Sequence, residues 1–173
     1  MSNEFRRIDV ESLGNAQRLI GKDWMIICAA DESKESGASG MTASWGCLGV
    51  LWNKPVCVCF VRPQRYTFGL CEKNERMSFN FFTDGRERAM LGYFGKASGR
   101  DEDKIKQKGL TVAKSTPDGA PFLADADVVI LGRKIYEGMI EESGFVDKSL
   151  LDNYKMKDYH KVYVCEIEEV MEK

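Results

Sequence analysis

A chain of 173 residues, 43% apolar and 30% charged, is long enough for one domain with a real core and too short for two ordinary ones. Its formal net charge of −2 gives no reason to expect non-specific nucleic-acid binding, and no apolar run approaches the roughly 20 residues that cross a bilayer. The six cysteines, Cys28, Cys47, Cys57, Cys59, Cys71 and Cys165, form no Cys-x-x-Cys pair, and with a single histidine they argue against a zinc site. The N-terminus, with Glu4, Arg6, Arg7, Asp9 and Glu11, lacks the apolar stretch of a secretion signal, so the expected location is a reducing cytoplasm with free thiols. Charge is locally uneven. Arg62, Arg65, Arg86, Arg88, Lys96, Arg100 and Lys104 crowd the middle of the chain, and Glu166–Glu172 is acidic.

In chain order, Glu11–Ile20 has an imperfect 3.6-residue stripe (Leu13, Ala16, Gln17, Ile20) and predicts a short helix. Asp23–Ala30 predicts a buried strand. Asp31–Gly40, polar and holding Gly37 and Gly40, predicts a mobile loop or hairpin tip. Strands follow at Met41–Gly46 and Pro55–Val61, with the apolar run Leu48–Trp52 between them. Pro63 suits the first turn of a helix over Gln64–Lys73, because its missing N–H is not needed there. Glu75–Phe82 alternates, Met77, Phe79 and Phe81 against Ser78, Asn80 and Phe82, and predicts a strand. Asp84–Phe94 predicts a helix capped by Asp84, and Asp101–Lys108 a charged helix stopped by Gly109. Ala126–Tyr136 and Tyr159–Met171 are the last long strands, separated by a short helix near Lys148–Tyr154. Strands at irregular intervals with inserted helices do not match a doubly wound sheet. They fit a mainly β fold, a closed or partly closed antiparallel barrel with helical insertions, in a single domain over residues 1–173.

Familiar site motifs are missing. There is no Gly-x-Gly-x-x-Gly, no P-loop, no His-Glu-x-x-His and no Gly-x-Ser-x-Gly. What is present suits a planar ligand with an anionic tail. Arg62-Pro63-Gln64-Arg65-Tyr66-Thr67 offers backbone N–H groups at a helix start, where the dipole favours an anion. Arg65 can make a bidentate contact to phosphate, and Thr67 adds a hydroxyl. The same pattern also fits solvated arginines beside a core tyrosine. Met41-Thr42-Ala43-Ser44-Trp45 could offer main-chain groups to the rim of a ring system, with Thr42 and Ser44 opposite Met41, Ala43 and Trp45; it also fits an ordinary half-buried strand. In Lys96–Lys104, Ser98 could cap or bind, and Arg100 and Lys104 fall on one helical face, as a second anion site or a solvated charged helix. His160 enters a strand. Its ordinary titration near neutrality makes it the candidate for proton handling, although a lone histidine there is commonly structural. Cys57 and Cys59 share a face, but i and i+2 positions are poorly placed for a disulfide.

Together these blocks resemble the flavin reductase-like family, the FMN-binding split barrels that include flavoredoxin. The matching residues are Met41–Gly46, Leu48–Trp52, Arg62–Thr67, Leu91-Gly92-Tyr93, Ser98–Lys104, and His160 with Tyr163–Ile167. The resemblance implies a six-stranded antiparallel split β-barrel that forms a homodimer, with FMN near the subunit interface. It implies Met41, Thr42, Ala43, Ser44 and Trp45 along the isoalloxazine ring, and Arg62, Arg65, Tyr66 and Thr67 at the phosphate and ribityl end. Ser98, Gly99, Arg100 and Lys104 would form another wall, and His160 would lie near the nicotinamide. The implied activity is that of an NAD(P)H-dependent flavin reductase, NADH or NADPH giving hydride to the flavin. The alternatives are a flavoredoxin-like electron carrier reduced by a partner protein, and a cofactor-free binding module on the same scaffold.

Overall fold

A computed structural model describes residues 4–85 and 87–173. Arg86, read above as part of the basic crowd, and the side chain of Asp84, read as a cap, lie outside the described part. The chain enters through β1 (Arg6–Ile8) and α1 (Ala16–Arg18), the latter continuing as a wide π turn over Leu19–Asp23. Then come β2 (Met25–Ala30), β3 (Ala38–Ala43), β4 (Gly46–Leu51), β5 (Lys54–Val61) and α2 (Tyr66–Lys73). They are followed by β6 (Arg76–Phe81), α3 (Arg88–Lys96), α4 (Lys104–Gln107), β7 (Val112–Ala113), β8 (Phe122–Leu123), β9 (Val128–Met139) and β10 (Lys161–Glu172).

The main sheet is antiparallel, in the order β3-β2-β6-β9-β10-β5-β4, with β1 added beside the end of β10; β7 and β8 pair separately. The barrel is mainly β with helical insertions, as expected, and β4 and β1 extend the six strands that wrap the core. Strand β10 joins its two halves. It pairs with β5 over Lys161–Glu166 and with β9 along its length, and register shifts at Val164/Cys165 and Ile167/Glu169 let it bend. Strands β3 and β4 stand at opposite ends of the order, and Ser44-Trp45 carries the chain from one to the other across the split.

Met25, Ile27, Met77, Phe79, Phe81, Cys57, Cys59, Tyr163 and Cys165 fill the barrel. A second layer packs Ile26, Cys28 and Leu131 under Leu91, Phe94, Ile105 and Leu123. Burial on both faces explains why β2 reads as a continuous apolar run. Four of the six thiols sit in the barrel core, and all six are free. Cys57 lies directly opposite Cys165 rather than pairing with Cys59. Burial pushes the thiols of Cys28, Cys71 and Cys165 up to about 12, which keeps them protonated and inert.

Several predicted elements are corrected. The helix over Glu11–Ile20 is broken into a 3₁₀ turn at Val10–Ser12 and the short α1, because Gly14 intervenes and Asn15 caps Arg18 N–H. The strand Met41–Gly46 ends at Ala43; Gly46 opens β4, where a Cβ would lie 2.7 Å from the Val58 carbonyl. Pro63 is not in the helix. Arg65 N–H bonds the Arg62 carbonyl at 3.0 Å, so Pro63 holds the second position of a turn, and α2 starts only at Tyr66. The helix Asp101–Lys108 shrinks to Lys104–Gln107, because Asp103 accepts from Lys106 N–H as its cap; Gly109, at φ +63°, ends it as expected. The 31–37 segment is a hairpin tip tied down at Ser36, whose N–H and hydroxyl both bond Asp103 at 2.9 Å.

Candidate functional site

Two adjoining cavities open beside the split. One, of about 210 Å³, is lined by Arg65, Tyr66 and Thr67 from the start of α2 and by Ser98, Gly99, Arg100 and Lys104 from the turn after α3. The other, of about 190 Å³, is lined by Met41 to Trp45, Phe60, Arg62 and His160. Met41 and Arg65 belong to both, so the two form one bent site of the size small molecules use. Every residue expected at the site lines one cavity or the other. Among the described residues, no carboxylate lines either.

The first cavity gathers cations and unpartnered donors. Arg65 is the N-cap of α2 but offers no side-chain cap, so the first N–H groups of the helix, at Tyr66 and Thr67, have no protein partner among the described residues. Thr67 is a buried residue, and its hydroxyl likewise has none among the described residues. Arg65 Nη2 donates to the Phe94 carbonyl at 3.2 Å, which holds the guanidinium at the wall; burial lowers its pKa. Lys104 is buried, its ammonium resting on the carbonyls of Phe94 (3.1 Å) and Ala97 (3.2 Å). Burial first, and then the Arg65 charge, bring it down to about 8.

Arg100 and Lys104 do not share a helical face. Arg100 stays in the turn, donating to the Gln64 carbonyl at 3.0 Å with its guanidinium 5.8 Å from the Tyr66 ring centre. The two segments read separately as anion sites thus line one cavity. Gly99 makes this approach feasible, because a Cβ there would collide with the Tyr66 ring. A larger hollow of about 700 Å³ also borders Tyr66, with Asp31 and Glu32 as well as Arg65, Lys73 and Arg100 in its wall.

The second cavity is flatter and more apolar. Thr42 donates its hydroxyl to the Leu91 carbonyl at 2.6 Å, which pins β3 to α3 and leaves the backbone near Ser44 beside the split. Trp45 is exposed and lies over His160, ring centres 5.0 Å apart. Arg62 is here and not at the anion end. It is ion-paired with Asp158 and donates to the Asn153 carbonyl at 2.9 Å. That pairing, with Gln64 donating to the same carboxylate, holds Asp158 below the usual carboxylate range. His160 is buried, and burial followed by the Arg62 charge lowers it to about 4. It is therefore neutral at pH 7 and does not titrate near neutrality, contrary to the expectation for a histidine entering a strand.

A model of the flavin reductase like domain matches residues 18–173. The chain belongs to the flavin reductase-like family. An uncharacterized protein of Aeropyrum pernix is 26% identical over 126 residues, 72% of this chain and 45% of its own length, so the chain spans less than half of that curated relative. Flavoredoxin of Desulfovibrio vulgaris (Miyazaki F) superposes with a TM-score of 0.65 at 18% identity, over 87% of this chain and 69% of the other. An FMN-binding domain of a flavin reductases-like enzyme from Shewanella baltica gives 0.67 at 15% identity, over 99% and 78%. At these identities the structural likeness concerns the fold.

Sequence reasoning missed part of the flavin reductase-like site. Phe60 and Gly95 line the cavities because β5 and the end of α3 reach the split, which no local pattern signals; Lys96 and Ala97, within the run singled out above, line the first cavity too. Tyr154 was missed as well. Its hydroxyl lies 2.9 Å from His160 Nδ1, and its only signal is its place six residues before the single histidine.

Proposed function

We propose that this flavin reductase-like protein binds FMN across the two cavities and acts as a flavin-dependent oxidoreductase, with NADH or NADPH as hydride donor. The observation that carries the reading is the joined site itself: an anion pocket of unpaired N–H groups, Thr67, Arg65 and Lys104, continuous with a flat slot between Met41–Trp45 and His160. A phosphate fits the first and a planar ring the second. Bound FMN would supply the capacity to accept hydride and pass electrons on. The chain's own residues have simpler tasks. Arg65, Tyr66, Thr67, Ser98, Gly99, Arg100 and Lys104 hold the phosphate end. The 41–45 backbone and Trp45 orient the ring, and neutral His160 offers a hydrogen bond without adding charge.

We also propose a homodimer. Trp52 and Tyr136 meet edge to face on the surface, ring centres 6.1 Å apart, beside exposed Val50 and Leu51; this apolar patch is suited to burial against a second copy. The purified protein should be yellow or turn yellow with FMN, sediment at twice the chain mass, and bleach on adding NADH or NADPH. Bleaching by dithionite alone would favour the flavoredoxin-like carrier. A colourless protein that takes up no FMN would end the proposal.

Lys104 gives this reading a pH signature. Its ammonium is intact below about 8 and is lost as pH rises through that value in the empty protein. FMN affinity should be level between about pH 7 and 8, where the phosphate is fully charged, and fall above it, because the phosphate is then bound without the cation. Stability of the empty protein should move the other way. The unfolded chain binds this proton more tightly than the folded one, so folding gains as pH rises above about 8. Titrations of FMN fluorescence and urea unfolding across that range test both slopes; an affinity that stays level above pH 8 would remove Lys104 from the phosphate site.

A further inference from the structure

We infer that Tyr154 is a positioning residue that fixes His160 with its proton on Nε2, making the imidazole a neutral donor into the ring end of the site. The geometry is a buried pair, the Tyr154 hydroxyl 2.9 Å from His160 Nδ1. Either atom could in principle give the proton. Tyr154 has no other hydrogen-bond partner among the described residues, so accepting from Nδ1–H would leave its own O–H unpaired in a buried place. Donation satisfies both groups, and it requires Nδ1 to be bare and Nε2 to carry the hydrogen. Nε2 itself has no protein partner among the described residues, and the ring lines the cavity beside Thr42, Ser44 and Phe60.

The surroundings hold this arrangement in place. Tyr159 stacks on Tyr154 at 5.0 Å and Phe145 packs edge-on at 5.7 Å, so the Tyr154 ring is held between other rings. Trp45 lies against His160, ring centres 5.0 Å apart, and both rings line the cavity. The charged groups facing the pair are Arg62, whose guanidinium lies 5.2 Å from the Tyr154 ring centre, Arg65 across the cavity, and Asp158, already bonded to Arg62 and Gln64. Burial first, and then the Arg62 charge, oppose a positive charge on the imidazole, with Asp158 acting the other way. A ligand in the slot therefore meets a donor, and its edge there must be an acceptor, a carbonyl oxygen or bare ring nitrogen. Only the identity of that ligand as FMN rests on the function proposed above.

His160 is the sole histidine, so an imidazole ¹⁵N spectrum of the whole protein shows one pair of ring nitrogens and reads the tautomer directly. The wild type should show a single Nε2–H form through neutral pH. Tyr154→Phe keeps the ring packing and removes the hydroxyl; it should give a mixture of tautomers. Adding FMN to the wild type should shift the Nε2 resonance. A wild-type Nδ1–H form, averaged tautomers, an imidazolium at neutral pH, or an unchanged spectrum in Tyr154→Phe would each overturn the inference. FMN that binds without moving Nε2 would overturn the ligand-facing half. If FMN does not bind at all, the proposed function falls while the wild-type tautomer still decides the role of Tyr154.

Discussion

Arg65→Ala should weaken FMN binding by about 1–3 kcal/mol, roughly 5- to 150-fold, with the fold intact. Arg65 lines both cavities, so it stands where a phosphate tail would meet the ring-bearing slot. Its guanidinium is partly desolvated and already aimed by the Phe94 carbonyl, so little freedom remains to be lost on binding. Arg65→Lys should recover only part of the affinity, since an ammonium cannot make the planar two-point contact. The alanine variant should also raise the proton affinity of Lys104, because the Arg65 charge is one of the causes lowering it. Fluorescence titration reads the first effect, and the pH at which affinity begins to fall reads the second. Unchanged FMN affinity in Arg65→Ala would mean the anion end has been placed wrongly.

Asn80→Ala should cost about 3 kcal/mol of folding stability, read as a lower urea midpoint at constant slope. Asn80 is wholly buried on the outer face of β6. Its Oδ1 accepts from Leu123 N–H at 2.8 Å, and its Nδ2 donates to the Ile26 carbonyl and to Ser78 Oγ, both at 2.9 Å. Ser78 in turn donates to the Pro121 carbonyl at 2.6 Å. These two side chains sew the 121–123 strand segment over the sheet. Alanine leaves several buried polar groups without partners, each expensive in a dry interior. A loss below about 1 kcal/mol would show that water or local rearrangement satisfies them instead.

Ser78 and Asn80 also show how far the sequence reaches. Their alternation with Met77, Phe79 and Phe81 placed the strand correctly, because a period of two is a local property of the backbone. It could not show that the polar side was buried as well, since the cover comes from residues some 43 positions away. Helix starts fared worse for a related reason. Pro63 and Asp103 each support more than one local geometry, and the choice depended on turns closed by Arg62 and on the bonds Asp103 makes to distant Ser36.

What the sequence determined by itself was the kind of molecule and the residues that line its two cavities. Strand periodicity, the Arg62–Thr67 turn and the Met41–Trp45 run are encoded within a few residues, so they pointed to an antiparallel barrel and to the side chains that line its cavities. The tertiary structure alone decided how those side chains are shared out. It placed Arg62 in the cavity of Met41–Trp45 and not in that of Thr67, merged the Ser98–Lys104 turn with the Arg65–Thr67 pocket, and gave His160 a buried tyrosine partner. Each depends on charge, burial and hydrogen bonds across dozens of residues. Such energies are set by distance in space, and no spacing along the chain reports that distance.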